Sequence, residues 1–482
     1  MNLQIFSTFV LIVHWLIVAG LSIRVIMRRS PVGVALAWLS VIASAPFVGA
    51  GAYLLLGERR LGARRAARIT ANIGSLKQWQ ARLRDNLDPA SVQVDVATEP
   101  MRQHAEHVLG YPILPGNRIE LLDNFRTVFD AMITDIDSAH SRCHLCFYIW
   151  HDGGRVADLI EALVRAARRG VQCRALADAM GSKAFLKDAQ ARRLRDAGVE
   201  LTAALPTGLL RALFVRQDLR NHRKILVIDD RVAYTGSQNL VDPRFFKQNV
   251  GVGEWVDAIA RITGPTAAAL DSVFELDWSV EIGREYEQPR AIEHAARPSA
   301  GSMIQVVPSG QDLRPQAIHQ LLLTAIYSAR RELVMTTPYF VPDDSMLTAL
   351  LSAALRGVAV TLIVPARNDS VLVRYASVAH FDDLMSAGVN IALFKGGLLH
   401  TKSLAIDGEF SVFGSVNLDM RSLWLNFEIS LFVYDAAFTQ QLSALQHNYL
   451  ANSDLLDPEA WRRRPAWRRF TENALRLLGP IL

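Results

Sequence analysis

The chain has 482 residues, half of them hydrophobic, and its mean hydropathy is +0.16. This length predicts two or three domains, and the apolar content is high for a soluble enzyme but too low for a polytopic transporter. The net charge of +5 and the pI near 9.2 suit a polyanionic neighbour, either nucleic acid or an anionic lipid surface.

Two uncharged apolar segments begin the chain. Residues 3–23 are long enough to cross a bilayer as a helix. Residues 31–57 exceed a hydrocarbon core of roughly 30 Å as a helix, so we expect a tilt or a bend near Pro46. A cleaved signal peptide is disfavoured, because no basic residue precedes the first segment and a second apolar segment follows at once. We therefore predict two transmembrane helices, forming a hairpin, in residues 1–60.

Arginines flank the second apolar segment on both sides. Two crossings would return the chain to its starting side, so the arginine count after each helix decides the orientation. The turn contains three arginines and the stretch after the second segment contains five: Arg24, Arg28 and Arg29, then Arg59, Arg60, Arg64, Arg65 and Arg68. This count favours a cytoplasmic catalytic region. A hairpin inserted from one face without full crossing is the alternative.

Beyond residue 110 the sequence contains an internal duplication. In each half, an apolar strand is followed by a helix-period segment, an Arg-Gly-Val sequence and a second apolar strand. The predicted strands end near Trp150 and span 172–177 in the first half, and span 333–337 and 359–364 in the second. Each half therefore predicts a βαβ unit in a sheet covered on both faces.

The three cysteines argue against a disulfide framework and favour a reducing compartment. Cys143 and Cys146 form a C-x-x-C sequence inside the first predicted strand. Since no second pair exists to complete a zinc site, we predict that they are core residues.

Each half leads to the same closing segment, and the two copies align without a gap. Both contain H-x-K-x-x-x-x-D followed by G-S-x-N, in residues 221–239 and 399–417. The matched pairs are His222 and His400, Lys224 and Lys402, Asp229 and Asp407, Ser237 and Ser415, and Asn239 and Asn417.

These residue types suit chemistry on a phosphodiester. Histidine and lysine two positions apart in a strand face the same side, so two facing segments bring two imidazoles, two ammonium groups and Ser and Asn donors to one point. One imidazole can attack phosphorus while the other protonates the leaving alkoxide, and the lysines stabilise the equatorial oxygens. This chemistry needs no metal and no cofactor. Asp229 and Asp407 fall at hairpin turns, so we expect them to hold the turn and a neighbouring cation rather than contact phosphorus.

The double pattern resembles the HKD motif of the phospholipase D superfamily over residues 115–450. The resemblance implies an α/β fold in which two duplicated phospholipase D-type α-β-α sandwich lobes form one active site. It also implies that His222 is the nucleophile and His400 the general acid and base. We assign the lobes to residues 113–290 and 291–455, with a basic linker at 61–112 and a basic amphipathic segment at 456–482.

Members of the superfamily carry an acidic residue that orients each histidine, downstream of G-S-x-N. In the second half the match is Glu428 of N-F-E, the candidate to hold His400. In the first half no N-x-E occurs, and the options are Glu254 and Asp257, of which Asp257 is preferred.

Further segments resemble the bacterial cardiolipin synthases from end to end. They are R-R-S-P at 28–31, L-A-W-L at 36–39, Y-L-L-L-G at 53–57, T-P-Y-F-V-P at 337–342, N-D-S at 368–370, G-G-L-L-H-T-K at 396–402 and residues 417–428. The resemblance implies that one phosphatidylglycerol forms a phosphatidyl-enzyme with loss of glycerol, and that a second supplies the attacking hydroxyl. It also implies anionic membrane lipids as partners, no nucleic acid, and a multi-pass location in the bacterial inner membrane.

Two segments suit a lipid surface. Residues 209–216 mix large apolar residues with arginine and either dip into an anionic bilayer or pack as a connector. Residues 461–478 alternate Trp, Arg and Leu and form either a basic, aromatic surface segment or a solvated tail. The alternative function is a membrane-bound phospholipase D-type hydrolase or nuclease, and a nuclease predicts a broad basic groove with aromatic platforms. A catalytically dead scaffold would not need both H-x-K pairs.

Overall fold

The computed structural model describes residues 3–28, 32–58, 61–88, 92, 94–208, 211, 215–289, 301–311 and 314–477. The chain forms two compact units, residues 1–66 with 207–218, and residues 67–206 with 219–482. Most of the segment 209–216 lies outside the described residues, and so do Arg29, Arg59 and Arg60.

The smaller unit contains the N-terminal apolar segments. Its helices are α1 (Leu3–Met27), α2 (Val32–Ser44) and α3 (Pro46–Ala52), and a π-helical turn (Tyr53–Gly57) follows α3 directly. Among the described helices, α1 is the one long and apolar enough to cross a membrane. The second apolar segment, predicted as another spanning helix, breaks at Ala45, whose φ of −142° and ψ of 71° are not helical. The bend expected near Pro46 is therefore a break between two short helices.

The larger unit is α/β. Its helices are α4 (Ala63–Asp85, which begins in the smaller unit), α5 (Glu99–Leu109), α6 (Phe125–Asp137), α7 (Arg155–Arg168), α8 (Ala189–Asp196), α9 (Pro265–Ile282), α10 (Ala317–Ser328), α11 (Asp344–Leu355), α12 (Val371–Val378), α13 (Phe381–Ser386), α14 (Met420–Trp424), α15 (Ala436–Ala451), α16 (Pro458–Arg462) and α17 (Ala466–Arg476).

Its strands alternate with these helices along the chain. They are β1 (Leu114–Leu122), β2 (Arg142–Phe147), β3 (Gln172–Asp178), β4 (Glu200–Ala204), β5 (Ile225–Ile228), β6 (Val232–Gly236), β7 (Trp255–Val256), β8 (Ile259–Thr263), β9 (Ser302–Ser309), β10 (Glu332–Thr336), β11 (Phe340–Val341), β12 (Ala359–Pro365), β13 (Asn390–Phe394), β14 (Leu398–Leu399), β15 (Ser403–Ile406), β16 (Phe410–Gly414), β17 (Leu418–Asp419), β18 (Glu428–Tyr434) and β19 (Ser453–Leu455).

Fifteen of the described strands form one continuous sheet, in the order β19-β13-β12-β10-β15-β16-β18-β9-β1-β8-β6-β5-β2-β3-β4. The order reads as two copies of one lobe that meet at β1 and β9, which pair antiparallel. Outward from this junction, β8, β6, β5, β2, β3 and β4 of the first lobe correspond to β18, β16, β15, β10, β12 and β13 of the second. The duplicated α/β fold predicted from the sequence is confirmed.

Each lobe contains the predicted βαβ unit. In the first lobe β2 and β3 are parallel neighbours joined through α7, and in the second β10 and β12 are joined through α11. On α7 the residues at the predicted helical spacing, Val156, Leu159, Ile160 and Leu163, are fully buried against the sheet. Burying one such side chain stabilises the fold by about 1.5–3 kcal/mol. Cys143, Cys146 and Cys173 lie buried in β2 and β3.

Residues 61–112, which we predicted as a basic linker, contain α4 and α5. On α4, Leu76 and Trp79 are buried, and the side chain of Asn72 accepts a hydrogen bond from the backbone N–H of Tyr286, beyond the end of α9. On α5 the left-handed Gly110 ends the helix and α10 packs alongside. Residues 67–112 are therefore part of the larger unit.

Candidate active site

The two motif histidines lie just before β5 and β15, at the junction between the lobes. The N–H of His222 donates to the carbonyl of Phe427 at 2.8 Å, so this segment of the first lobe pairs with the second lobe. The N–H of His400 donates to the carbonyl of Val256 at 2.8 Å, where β14 of the second lobe pairs with β7 of the first. Each histidine therefore lies against a strand of the opposite lobe.

Because of this pairing, each orienting acid contacts the histidine of the opposite lobe. Nδ1 of His222 lies 2.9 Å from a carboxylate oxygen of Glu428, and Nδ1 of His400 lies 2.6 Å from a carboxylate oxygen of Asp257. The prediction that Glu428 holds His400 was wrong, because each acid directly follows the residue whose carbonyl binds the opposite histidine segment. Asp257, preferred over Glu254 for the first half, does bind a motif histidine, but that of the second half.

The serines of the two G-S-x-N sequences hold these acids. The hydroxyl of Ser237 donates to Asp257 at 2.6 Å and accepts from the N–H of Ala258 at 3.0 Å. The hydroxyl of Ser415 donates to Glu428 at 2.5 Å and accepts from the N–H of Ile429 at 2.9 Å. The expectation that both serines donate to the phosphate was therefore wrong, since their hydroxyl protons are directed to carboxylates.

The asparagines differ from the serines. Asn239 accepts a hydrogen bond from the N–H of Ile149 at 3.1 Å, and its buried Nδ2 has no partner among the described residues. Asn417 donates to Asp419 at 3.0 Å, and its buried Oδ1 likewise lacks a partner in the described part of the chain. Each asparagine therefore has one buried polar atom that no group in the described part of the chain satisfies.

The two motif lysines are buried beside the histidines. Nζ of Lys224 donates to the carbonyl of His222 at 2.7 Å, and Nζ of Lys402 donates to the carbonyl of His400 at 2.5 Å. Burial lowers the pKa of Lys224 to about 8 and that of Lys402 well below its ordinary 10.5, although the carboxylates of Asp257 and Glu428 oppose the change. An ammonium group has three protons, and the bond to the histidine carbonyl uses one of them.

Burial disfavours the protonated form of both motif histidines. Burial lowers the pKa of His222 and of His400 to about 4, against the opposing attraction of the carboxylate that each one contacts. The pKa of Asp257 falls to about 2 and that of Glu428 falls below its ordinary 4.5, because the histidines and lysines outweigh desolvation. An Nδ1 bound to an ionised carboxylate carries the proton, which leaves the Nε2 lone pair available for nucleophilic attack.

Two aromatic side chains that sequence reasoning did not single out contact the histidines. The ring of Tyr148 lies edge-on to His222, with centroids 4.9 Å apart, and the ring of Trp255 lies 4.4 Å from that of His400. Tyr148 follows β2, and Trp255 precedes Asp257 by two positions. They are apolar walls that lower the polarity around each imidazole. The E-W-V-D sequence was the one available signal for Trp255.

Asp229 and Asp407 lie at the far ends of β5 and β15 from the histidines. Asp229 and Asp230 both have positive φ, as do Asp407 and Gly408, which is the geometry of a type I′ hairpin turn. The carboxylate of Asp229 accepts three backbone N–H bonds from residues 140–142, and that of Asp407 accepts three from residues 330–332. Both aspartates thus hold the start of a neighbouring strand, and backbone amides take the place of the cation that we expected.

One further cluster could hold a metal by its residue types. His144, Asp271 and Glu275 place ligand atoms within 4.8 Å of one another in the first lobe's core. Arg174 pairs with Glu275 at 3.0 Å, and Arg142 lies 3.7 Å from Asp271. Guanidinium groups thus already supply positive charge to this cluster.

Comparison with known proteins shows what this chain is similar to. The family model described as "Cardiolipin synthase, PLD-like domain" matches residues 132–278 and 322–448, and "Phospholipase_D-nuclease N-terminal" matches residues 15–58. Cardiolipin synthase A of Edwardsiella ictaluri is 45% identical over 471 residues, covering 97% of each chain. Cardiolipin synthase A of Yersinia pseudotuberculosis is 46% identical over 472 residues, again covering 97% of each chain.

A solved structure supports the fold. The phosphatidylserine synthase of Haemophilus influenzae superposes with a TM-score of 0.60 at 16% identity, covering 80% of this chain and all of that one. This likeness extends over both lobes, whereas the sequence matches above carry the family assignment. On these matches the chain belongs to the cardiolipin synthase family of the phospholipase D superfamily.

Proposed function

We propose that the chain is a phosphatidyltransferase that makes cardiolipin from two molecules of phosphatidylglycerol and releases glycerol. The observation that carries this proposal is the crossed arrangement of the site. Two buried imidazoles each have Nδ1 bound to a buried carboxylate of the opposite lobe, and a buried lysine lies beside each one. Such an arrangement supplies one nucleophile and one proton carrier to a phosphodiester.

The first step forms the phosphatidyl-enzyme. Nε2 of His222 attacks phosphorus, the bond to the glycerol oxygen breaks, and His400 gives its proton to that oxygen. His400 must therefore be protonated when phosphatidylglycerol is bound, and the phosphate's negative charge favours this by raising the imidazole pKa from about 4. Lys224 and Lys402 stabilise the charge on the equatorial oxygens. The choice of His222 as nucleophile rests on the family resemblance, because the two histidines have nearly equivalent surroundings.

The second step transfers the phosphatidyl group. A hydroxyl of the second phosphatidylglycerol gives its proton to His400, its oxygen bonds to phosphorus, and the bond from phosphorus to His222 breaks. Transfer rather than hydrolysis requires that water be kept from the phosphohistidine, and the burial of both histidines and of Trp255 supports such exclusion.

The protein is associated with the membrane, and its lobes are proposed to lie on the cytoplasmic face. The C-terminal helix α17 supports contact with lipid, because its exposed side chains include Trp467 and Phe470, which are 69% and 76% exposed. Arg464, which lies before α17, is fixed instead by Asp382 and Glu472. Residues 456–482 are thus proposed as an interfacial segment.

The proposed domain organisation keeps the two lobes at 113–290 and 291–455. The equivalence of strands on either side of β1 and β9 supports this division. Residues 61–112, predicted as a basic linker, contain α4 and α5, and the partial burial of these helices supports joining residues 67–112 to the larger unit.

The test is to incubate the purified protein with labelled phosphatidylglycerol and to separate the lipids by chromatography. We expect one glycerol for each cardiolipin formed. Phosphatidic acid without cardiolipin would indicate a hydrolase, and DNA cleavage without lipid turnover would indicate a nuclease. His222→Ala and His400→Ala should each abolish turnover, whereas Cys143→Ala, a matched change in the buried strand β2, should leave it nearly intact. Appreciable activity in either histidine variant would contradict the mechanism.

A further inference from the structure

In the smaller unit, ion pairs join the end of α1 to the end of the second apolar segment. Arg24, in the last turn of α1, donates to the buried carboxylate of Glu58 at 2.5 Å and 3.0 Å, and Arg28 lies 3.1 Å from the same carboxylate. Glu58 directly follows the π-helical turn. The second apolar segment therefore ends at the level at which α1 ends.

Between the end of α1 and Glu58, the chain runs outward along α2 and returns along α3. The 13 residues of α2 extend about 20 Å at 1.5 Å per residue. After the break at Ala45, α3 returns along α2, so closely that a Cβ on Gly49 would lie 2.5 Å from the carbonyl oxygen of Val41. Further along the return, the ring of Tyr53 lies 5.4 Å from that of Trp38. The excursion is too short for a hydrocarbon core of roughly 30 Å.

The tip of this helical hairpin is apolar. Phe47 and Val48 lie just after the break and are 54% and 77% exposed. The hydroxyl of Ser44 donates to the carbonyl of Ser40 at 2.8 Å, so its polar group is satisfied within the helix. Residues 32–57 contain no charged residue. A tip that emerged into water would carry polar residues, so this composition fits a tip that ends in hydrocarbon.

We propose that α1 crosses the bilayer once and that α2 and α3 form a re-entrant hairpin inserted from the face at which α1 ends. The N-terminus then lies on one face of the membrane, and residue 58 and the chain that follows it lie on the other. This arrangement differs from both predicted ones, in which the two apolar segments form a single hairpin, because here α1 crosses and only the second segment is re-entrant. The inference is independent of the chemistry proposed for the active site.

The distribution of arginines agrees with this arrangement. Under two crossings the arginines are divided between the faces, three against five. With a re-entrant hairpin all of them fall on one face, and residues 1–23 on the other face contain no Lys or Arg. The arginines concerned are Arg24, Arg28, Arg29, Arg59, Arg60, Arg64, Arg65 and Arg68. The positive-inside rule then places the end of α1 in the cytoplasm and the N-terminus outside the inner membrane.

The experiment measures the reaction of single cysteines with a membrane-impermeant maleimide in the full-length protein. The three native cysteines are buried, so their background reaction is low. The probes are a cysteine added before residue 1, Val48→Cys at the tip, and Arg64→Cys, an exposed position after the hairpin. Each probe is assayed in spheroplasts, in inverted vesicles and in detergent, and cardiolipin synthesis by each variant verifies its fold.

We expect the N-terminal cysteine to react in spheroplasts and Arg64→Cys to react only in inverted vesicles. Val48→Cys should react only after detergent is added. Reaction of the N-terminal cysteine and Arg64→Cys from the same face would overturn the proposal, as would reaction of Val48→Cys in intact spheroplasts. If Val48→Cys is inactive, Phe47→Cys provides the second tip probe under the same criteria.

Discussion

Replacing Asp229 or Asp407 by asparagine tests whether these two motif aspartates hold the fold rather than take part in the reaction. Asparagine tolerates the left-handed backbone at both positions, where φ is 52° and 56°, so the change removes charge without adding strain. Each carboxylate accepts three backbone N–H bonds, and an amide retains acceptor capacity on only one of its two heavy atoms.

The expected loss of stability follows from these contacts. The hydrogen bonds hold the pKa of Asp229 at about 2, against an ordinary 3.8, and each pKa unit corresponds to about 1.4 kcal/mol. Since 18% of this side chain remains exposed, we discount that contribution to ~1–2 kcal/mol. We therefore expect Asp229→Asn to lower the free energy of unfolding by about 2 kcal/mol, and Asp407→Asn to lower it by about 1 kcal/mol through one weakened backbone hydrogen bond.

Thermal inactivation of cardiolipin synthesis, with turnover measured at low temperature, separates stability from chemistry. We expect half-inactivation on the order of 4 °C lower and a kcat within about twofold of the unmodified protein. Because the folded-state pKa of Asp229 is depressed, its stabilisation is complete above pH 4 and disappears as the pH falls to about 2, where variant and parent should converge. Asp196→Ala, an exposed carboxylate on α8, is the control. A kcat reduced a hundredfold with unchanged thermal inactivation would refute this reasoning.

Three further predictions concern the histidines and the groups that hold them. Asp257→Asn and Glu428→Gln should each lower kcat by about 100-fold or more in the lipid assay, because each removes the charge that fixes one imidazole. Activity within tenfold of the parent would contradict this role. The pKa values of His222 and His400 are about 4, so binding of a non-cleavable phosphodiester at pH 7 should be accompanied by the uptake of about one proton. Calorimetry in buffers of different ionisation heat measures this uptake. An uptake of zero would contradict the role of His400 as the acid. Ser415→Ala should lower kcat about tenfold, because it removes the hydrogen bond that the Ser415 hydroxyl donates to Glu428. Ser415→Thr, which keeps a hydroxyl, should restore part of the rate. If threonine restores none of it, the hydroxyl is not the cause.

The sequence predicted the features that depend on local periodicity. The strands predicted at 172–177 and 359–364 differ from β3 and β12 by one residue at their ends. Alternation of side chains within a strand also places His222 and Lys224 together, because that relation spans only two residues. The family resemblance extended these local patterns to a whole fold.

The crossed acids could not be predicted in this way. His222 and Glu428 are 206 residues apart in the chain, and their contact depends on how one lobe pairs with the other. The motif order suggested that each acid serves its own half, since both follow G-S-x-N. The main-chain pairing of His222 with Phe427 decides otherwise, and no periodic signal reports a pairing between lobes.

The regions dominated by charge or by uniform apolarity were also hard to interpret. On α4 arginines interrupt the apolar positions, so the buried Leu76 and Trp79 did not stand out from a basic linker. In residues 32–57 hydropathy is high throughout, so it indicates how long the apolar segment is but not whether that segment is one helix or two. The structure shows the break at Ala45, after which α3 packs closely against α2 because Gly49 has no side chain.

The exchange of acids between the lobes has a consequence for the origin of this architecture. A polypeptide with only one such lobe would hold a histidine without its carboxylate and a carboxylate without its histidine. In a dimer of two identical copies related by a twofold axis, the carboxylate of each copy would bind the histidine of the other. A self-pairing ancestor could therefore have been functional before its gene was duplicated and fused, and fusion would then have freed the two halves to diverge.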